Sequence, residues 1–179
     1  FGRFATGITV VTAAGTDGVV AMTANSFSSV SMDPPLVLWS PARASSRFAA
    51  FAAADHFSIH VLSADQADLA WSVARNRTAL DRAGLGINAQ GVPVLSRCLA
   101  RFDCATHALH EAGDHVIMLG RVLQAHDRPR DAGVPERAAL RLVDQRLDRD
   151  AVDVLVAVGS DPAPVDLQAR DRQAVEVQD

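Results

Sequence analysis

Lysine and tyrosine are absent from this 179-residue sequence, and aromatic residues make up only 5% of it. Because all 17 basic residues are arginine, chemistry that depends on a lysine amine is excluded. With so few aromatic rings, aliphatic side chains must form most of the core. The length fits one domain that can bury a core of useful size.

Charge and long apolar runs are also scarce. The formal net charge is −4 and no cluster of basic residues occurs, which argues against nucleic acid as a partner. No apolar run approaches the roughly 20 residues that cross a bilayer, and the first residues do not have the pattern of a signal peptide. We therefore expect a cytoplasmic protein that does not associate with a membrane.

Cysteine occurs only twice, at Cys98 and Cys104. We expect both on one strand, where a separation of six residues places them on the same face but too far apart for a disulfide. His107 and His110 follow, but their spacing matches no common zinc pattern. The sequence thus predicts no metal site and two small buried thiols.

One segment, Met22 to Pro35, is rich in hydroxyl and amide side chains. These groups supply hydrogen-bond donors and acceptors without net charge, which suits a flavin with its carbonyls, ring nitrogens and ribityl hydroxyls. The apolar residues before it and the run from Leu36 to Trp39 predict two flanking core strands, the second beginning at an edge or bend just after Pro34-Pro35. The composition alone also fits an ordinary Ser/Thr-rich strand and turn.

A second polar patch runs from Ser40 to Phe48. Its Ser45 and Ser46 stand at the start of an Ala-rich helix predicted from Ser46 to Ala54, and free backbone N–H groups at a helix start attract phosphate. The alternative is a simple serine cap. A second helix is predicted over residues 64–83, with Leu69 and Trp71 on its core face, followed by a loop or short irregular strand over residues 84–93.

Four segments occur in the order and spacing of one protein family: Phe4 to Thr12, Thr23 to Pro35, Phe57 to Leu62 with Gln66, and Gly113 to Gly120. Over residues 1–125 the chain resembles the short-chain flavin reductases, the reductase components of two-component flavin-dependent monooxygenases. This resemblance implies a mainly β protein with flanking helices, a split β-barrel. It also implies FMN or FAD as cofactor, NADH or NADPH as hydride donor, a homodimer, and a partner monooxygenase that receives diffusible reduced flavin.

The resemblance also indicates which residues bind the cofactors. Ser45 and Ser46 would contact the flavin phosphate, helped by Arg43 or Arg47, and His115 of the Gly-Asp-His motif would position the nicotinamide beside the flavin. The family generally has Asn where this sequence has His60. No catalytic side chain is predicted, since the cofactors carry the reaction. The predicted cofactor-binding residues are Thr23, Ala24, Asn25, Ser26, Ser29, Val30, Ser31, Ser40, Ser45, Ser46, His60 and His115.

Residues 126–179 are a divergent segment without an assigned domain. From Ala125 to Asp179 there is no aromatic residue, so the aromatic closing motif of the family is missing. The pattern predicts a helix from Glu136 to Leu147 and a strand from Val152 to Val158. A lineage-specific extension, a divergent closing element and a shifted reading frame would each explain this segment.

Two classes of function follow from these observations. The first is an NAD(P)H:flavin oxidoreductase, which the Gly-Asp-His motif favours. The second is a flavin-binding protein without turnover, which the missing aromatic motif favours. A pyridoxamine-phosphate-oxidase-like or haem-binding split barrel fits less well, because the motif from Asn25 to Pro35 does not belong to those proteins.

Overall fold

The structure, a computed structural model, describes residues 7–16, 18–75, 80 and 84–127, together with the backbone of two short strands at 140–142 and 156–157. Nearly all of the regular structure is β-strand. The strands are β1 (Thr9–Gly15), β2 (Gly18–Ala24), β3 (Ser28–Met32), β4 (Pro35–Trp39), β5 (His56–Val61), β6 (Leu85–Ile87), β7 (Pro93–Leu95), β8 (Ala100–Ala112), β9 (His115–Asp127), β10 (Leu140–Leu142) and β11 (Val156–Ala157). The helices are α1 (Phe48–Ala52) and α2 (Ala67–Arg75), with a 3₁₀ turn at Ala64–Gln66.

Seven strands form one antiparallel sheet in the order β2-β1-β5-β8-β9-β4-β3. If this sheet were flat, its edge strands β2 and β3 would lie about 29 Å apart, given a spacing of about 4.8 Å between neighbours. The chain from Ala24 to Ser28, however, reaches at most about 14 Å. The sheet must therefore curl until its two edges approach each other, which is the open barrel predicted from the sequence.

The two faces of the sheet carry two different cores. In β5 the side chains alternate, so that Phe57 and Ile59 face the inside of the curl while Ser58 and His60 face outward. The inner core is mainly aliphatic with three aromatic rings: Val11, Ala13, Met22, Ala24, Val37, Trp39, Phe51, Phe57, Ile59, Cys104, Val116 and Met118. The outer core lies beneath α2 and consists of Ile8, Val10, Ala21, Leu62, Ala70, Val73, Leu80 and Leu95.

Helix α2 differs from its prediction in the residues it buries. Ala70 and Val73 are its buried residues, and Trp71, predicted on the core face, is only partly buried and stacks on Arg75 at 5.2 Å. The helix lies too close to β2 for an indole to fit between them, since the Thr23 hydroxyl donates to the Ala70 carbonyl at 2.8 Å. Residues 76–79 and 81–83 of the predicted range lie outside the described residues.

Two other predictions are corrected by the structure, and a third agrees with it. The connector over residues 84–93, predicted as a loop or short irregular strand, contains the short strand β6 and leads into β7, with which β6 forms a small hairpin. Cys98 precedes β8 instead of lying in it and is only partly buried, whereas Cys104 is buried; neither cysteine forms a disulfide. Residues 140–142, predicted as helix, pair as a strand with β11, which matches their alternation of leucine and arginine.

Two further predictions concern the strand near the C-terminus and the absence of a membrane-spanning helix. The short strand β11 falls within the strand predicted from Val152 to Val158, and the remainder of that prediction lies outside the described residues. Within the described ranges, no helix is long and apolar enough to span a bilayer.

Candidate functional site

The polar segment from Met22 to Pro35 was predicted to form one connection between two core strands. The structure divides it into several elements. It consists of the end of β2, a three-residue link, the edge strand β3 and the turn into β4, which begins at Pro35 as expected. Thr23 and Ala24 are buried at the end of β2, whereas Ser29 and Val30 are exposed on β3. The predicted site residues therefore lie in different environments.

Two of the predicted residues use their polar atoms within the protein. The hydroxyl of Thr23 holds α2, as described above. His60 is fully buried between two strands: its Nδ1 donates to the Val10 carbonyl at 2.9 Å, and its Nε2 accepts from the Leu95 N–H at 3.2 Å. Burial lowers the pKa of His60 from 6.5 to about 4, so the ring stays neutral. Both ring nitrogens are thus occupied.

The end of β4 is joined to the link after β2 by a serine. The backbone N–H of Ser40 donates to the Ser26 hydroxyl at 2.8 Å. The β4–β9 ladder, which stops at Trp39, resumes in the same register with a bridge between Ala42 and His115. The backbone N–H of Ser40, which lies between the ladder and the bridge, is therefore paired with Ser26. This hydrogen bond joins the two polar segments near the start of β9.

Ser45 and Ser46 lie in the turn before α1. The Ser45 hydroxyl accepts from the Arg47 N–H at 3.3 Å, and its carbonyl accepts from the Phe48 N–H at 3.0 Å. The helix begins at Phe48 with Arg47 as its N-cap, two residues later than predicted, and no side chain caps it. Ser46 is exposed. The two hydroxyls therefore belong to a turn rather than to the first turn of a long helix.

His115 begins β9, immediately after the turn at Gly113, which has a φ of +72°. Its Nδ1 lies 2.8 Å from Oδ1 of Asp114, and 28% of its side chain is exposed. The hydrogen bond from His115 and the charge of that ring lower the pKa of Asp114. Asp114 thus holds the imidazole in place.

Strand register shows which of these residues share a face. Val37, Trp39, Val116 and Met118 point into the inner core, so their neighbours along β4 and β9 point outward. We call this outward surface of β3, β4 and β9 the outer strip; its residues are Ser31, Leu36, Leu38, Ser40, His115, Ile117 and Leu119. It combines a partly exposed apolar centre with hydroxyls and an imidazole at its borders. Sequence reasoning missed the apolar part, although the unbroken apolar run from Leu36 to Trp39 pointed to it, because alternate residues of a strand lie on opposite faces.

Hydrogen-bonding capacity is left over in the two polar segments; by strand register Ser31 lies on the outer strip, whereas Ser29, opposite Val37, lies on the other face of the exposed edge strand. Within the described chain, the side chains of Asn25, Ser29, Ser31 and Ser46 make no hydrogen bond to protein; we call these four residues the open polar edge. Polar side chains of that kind are available to a ligand, and the apolar strip beside them suits a flat aromatic ring. The residues present therefore fit a flavin.

A second polar cluster, which we call the Asp103 network, lies under the β6–β7 hairpin. The buried Asp103 carboxylate accepts from the Ser58 hydroxyl at 2.7 Å and pairs with Nε of Arg101 at 3.1 Å. Asn88 donates to Ser58 at 3.1 Å, and Nε2 of His126 lies 3.2 Å from the carboxylate. Burial alone would raise the pKa of Asp103, but these hydrogen bonds and the Arg101 charge outweigh it and lower the pKa.

Metal ligands do not cluster in the described ranges, where no group of three or more His, Cys, Asp or Glu side chains is placed to hold an ion. The outer strip offers apolar side chains, hydroxyls and an imidazole, which can bind and orient an organic cofactor. A comparison with protein families decides which one: residues 1–146 match the model of the flavin reductase like domain. The chain belongs to the flavin reductase-like family.

Named relatives of this flavin reductase-like chain support the assignment. It is 56% identical over 130 residues to the FMN reductase (NADH) SmoA of Agrobacterium fabrum, an alignment that covers 73% of this chain and 75% of SmoA. Three further curated relatives are longer, and the chain spans only 54%, 40% and 40% of their lengths.

Solved structures agree with the fold. BorF, the flavin reductase component of a bacterial two-component tryptophan halogenase, is 42% identical with a TM-score of 0.66, covering 73% of this chain and 84% of BorF. The NADH:FAD oxidoreductase SgcE6 of Streptomyces globisporus, in complex with NAD and FAD fragments, is 34% identical with a TM-score of 0.69, covering 83% and 91%. The predicted family and split-barrel fold are confirmed, and so, at the level of the family, is the predicted class of enzyme.

Proposed function

We propose that this flavin reductase-like chain transfers hydride from NADH to FMN bound at the outer strip, and that the reduced flavin then leaves for a monooxygenase. The observation that carries the proposal is the open polar edge beside the apolar strip, with His115 at its far end. Most buried polar side chains elsewhere in the described chain are hydrogen-bonded within the protein; the exceptions are Trp39 Nε1, Gln90 Oε1 and Arg101 Nε, and none of these residues belongs to the outer strip. The open polar edge differs in that its unused hydrogen-bonding groups are accessible to a ligand.

The parts of a flavin correspond to different parts of this surface. The apolar residues Leu38, Ile117 and Leu119 suit the isoalloxazine ring, since ligand sites combine apolar walls with a few convergent polar groups. Asn25, Ser29 and Ser31, with the backbone of Ala24 and Val30, suit the polar rim of the ring. Ser26 and Ser40 suit the ribityl chain, and Ser45 and Ser46, with a nearby arginine, suit the phosphate.

The protein contributes orientation rather than acid–base chemistry to this reaction. When bound, the flavin supplies the hydride acceptor, and the nicotinamide supplies the hydride. Transfer requires the two rings to be held at about 3 to 3.5 Å, so a residue that fixes the nicotinamide accelerates the reaction through geometry. His115 is placed for that role because the ladder and Asp114 hold it at one end of the outer strip.

The identity of the cofactors and partner rests on the relatives. SmoA is named as an NADH-dependent FMN reductase, and other relatives are named as reductase components of monooxygenases. We extend those properties to this chain, with FAD and NADPH as poorer alternatives. A reductase of this type takes its hydride from the NADH of the cytoplasm, which is where we place it.

We further propose a homodimer formed through the edge of the sheet. The edge strand β3 leaves one row of backbone groups unpaired in the sheet, and two apolar side chains on it, Val30 and Met32, are 48% and 89% exposed. Exposed apolar edges favour pairing with another chain, and two-fold dimers are the commonest assemblies. Light scattering should give twice the chain mass at micromolar concentration, and a Met32→Lys variant should shift it toward the monomer.

A direct assay tests the main proposal. The purified protein should oxidise NADH in a flavin-dependent manner, followed by the loss of nicotinamide absorbance. NADH consumption should require added FMN and should fall when Ser45 and Ser46 are replaced by Ala. Flavin binding without NADH consumption would instead support the second predicted class, a flavin-binding protein without turnover.

A further inference from the structure

The tip of the β8–β9 hairpin, from Glu111 to His115, holds the loop from Pro41 to Ser45. Val116 N–H donates to the Pro41 carbonyl at 3.1 Å, and Arg43 N–H donates to the Asp114 carbonyl at 2.9 Å, on either side of the Ala42–His115 bridge. The backbone of this loop is therefore fixed by a strand.

The side chain of Arg43 is fixed as well as its backbone. Its Nη2 forms an ion pair with Oε2 of Glu111, and its guanidinium lies 5.7 Å from the centre of the Phe48 ring. Glu111 lies on β8, opposite Val116 of β9, and Arg43 follows β4 on the other side of β9. The side chain of Arg43 therefore crosses β9 to contact Glu111. Within the described chain, its Nε and Nη1 make no hydrogen bond to protein and stay available to an anion.

Stability does not account for this pair. The side chain of Glu111 is 84% exposed and that of Arg43 is 37% exposed, and exposed ion pairs contribute very little to folding. Orientation is what the pair supplies. A guanidinium presents its donors in one plane, so Glu111 at one edge and Phe48 at one face leave a single free edge for a phosphate.

We propose that Glu111 is a positioning residue, which holds Arg43 so that its free edge binds the phosphate of FMN together with Ser45. This inference rests on the proposed function. Ser45 lies in the same fixed loop, since its N–H donates to the Ala42 carbonyl at 3.1 Å. An arginine that is already ordered loses less side-chain freedom when the phosphate binds, a gain of roughly two- to tenfold in affinity for one side chain.

The test compares FMN with riboflavin, which has the same ring and ribityl chain but no phosphate. Fluorescence titration of Glu111→Ala should show FMN affinity weakened by roughly two- to tenfold with riboflavin affinity unchanged. Arg43→Ala should weaken FMN at least as much, and adding Glu111→Ala to it should have no further effect, because Glu111 acts through Arg43. Glu111→Gln, which keeps an oxygen acceptor for Arg43, should recover part of the loss.

A matched control and a folding measurement complete the experiment. His107→Ala changes an exposed residue of β8 that has no register partner on β9, and it should leave both affinities as in the unmodified chain. The midpoint of thermal unfolding of Glu111→Ala should not move. These two measurements separate a loss of phosphate binding from a general disturbance of the hairpin.

Three results would overturn the inference, in distinguishable ways. An unchanged ratio of FMN to riboflavin affinity in Glu111→Ala, with a clear FMN loss in Ser45→Ala/Ser46→Ala, would remove the role of Glu111 and leave the proposed function standing. Tighter FMN binding by Glu111→Ala would mean that the carboxylate competes with phosphate. Unchanged FMN binding in the Arg43 and serine variants would remove the phosphate site itself.

Discussion

The Asp103 network and the open polar edge are built from similar polar side chains and differ in where those side chains find their partners. In the network, the Ser58 hydroxyl donates to Asp103 and accepts from Asn88. On the edge, Ser31 and Asn25 make no such contact in the described chain. A buried polar group is costly unless it is hydrogen-bonded within the protein, whereas a polar group at an exposed edge can bind water until a ligand replaces that water. The presence of a partner, more than residue type, separates structural from binding positions.

The largest effect should follow from breaking the network. Asp103→Ala removes a buried carboxylate that pairs with Arg101 and accepts from Ser58, so the free energy of unfolding should fall by about 3–5 kcal/mol. Urea denaturation measures it. Ser31→Ala on the open polar edge is the matched control and should change stability by less than about 0.5 kcal/mol. Equal losses in both variants would contradict the distinction between the two regions.

The second-largest effect should be a loss of folding stability in acid, caused by the buried His60. The pKa of His60 is about 4 in the folded chain and 6.5 when unfolded, so the unfolded chain binds more protons between these values. Stability is therefore full above pH 6.5 and falls by about 3 kcal/mol as the pH drops to 4. Asp103, whose pKa is lowered from 3.8, adds a further loss only below that pH. His60→Asn should flatten the decline between pH 6.5 and 4 in denaturation curves.

The turn before α1 that holds Ser45 and Ser46, the proposed phosphate contacts, should respond in binding instead of stability. Replacing Ser45 and Ser46 with Ala removes two hydroxyls from the turn before α1, and loss of a hydrogen-bonding partner costs about 1–3 kcal/mol of binding. FMN titration should show weaker affinity while the unfolding midpoint stays in place. An unchanged affinity for FMN would refute the phosphate assignment.

The smallest expected effect concerns turnover alone. His115→Ala should raise the KM for NADH and lower kcat, together about tenfold in kcat/KM, which corresponds to about 1.4 kcal/mol of orientation. Flavin affinity should remain close to that of the unmodified chain. Steady-state kinetics and flavin titration on the same variant decide the outcome: a loss of flavin binding would place His115 in the flavin pocket instead.

Sequence patterns predicted the strands well and the burial of single residues less well. The apolar run of β4 predicted a core strand from the residues themselves, whereas the segment of β5 was indicated by the family motif. The helical spacing of apolar residues in α2 predicts Trp71 on the core face. Trp71 is only partly buried because α2 packs against β2 through Ala70, a spacing that no local pattern encodes.

For the site, the sequence by itself determined the supply of chemistry: uncharged hydrogen-bonding groups in two segments, a Gly-Asp-His turn, and no lysine. Those are properties of residue type and order, and they were enough to indicate the family. Only the tertiary structure decided which groups are free. In the folded chain, Thr23 and His60 are hydrogen-bonded to backbone groups of other segments. Ser26 accepts from the backbone N–H of Ser40 after β4, and Glu111 forms an ion pair with Arg43. Hydrogen bonds between distant segments depend on strand register, and register is fixed by the packing of the whole sheet.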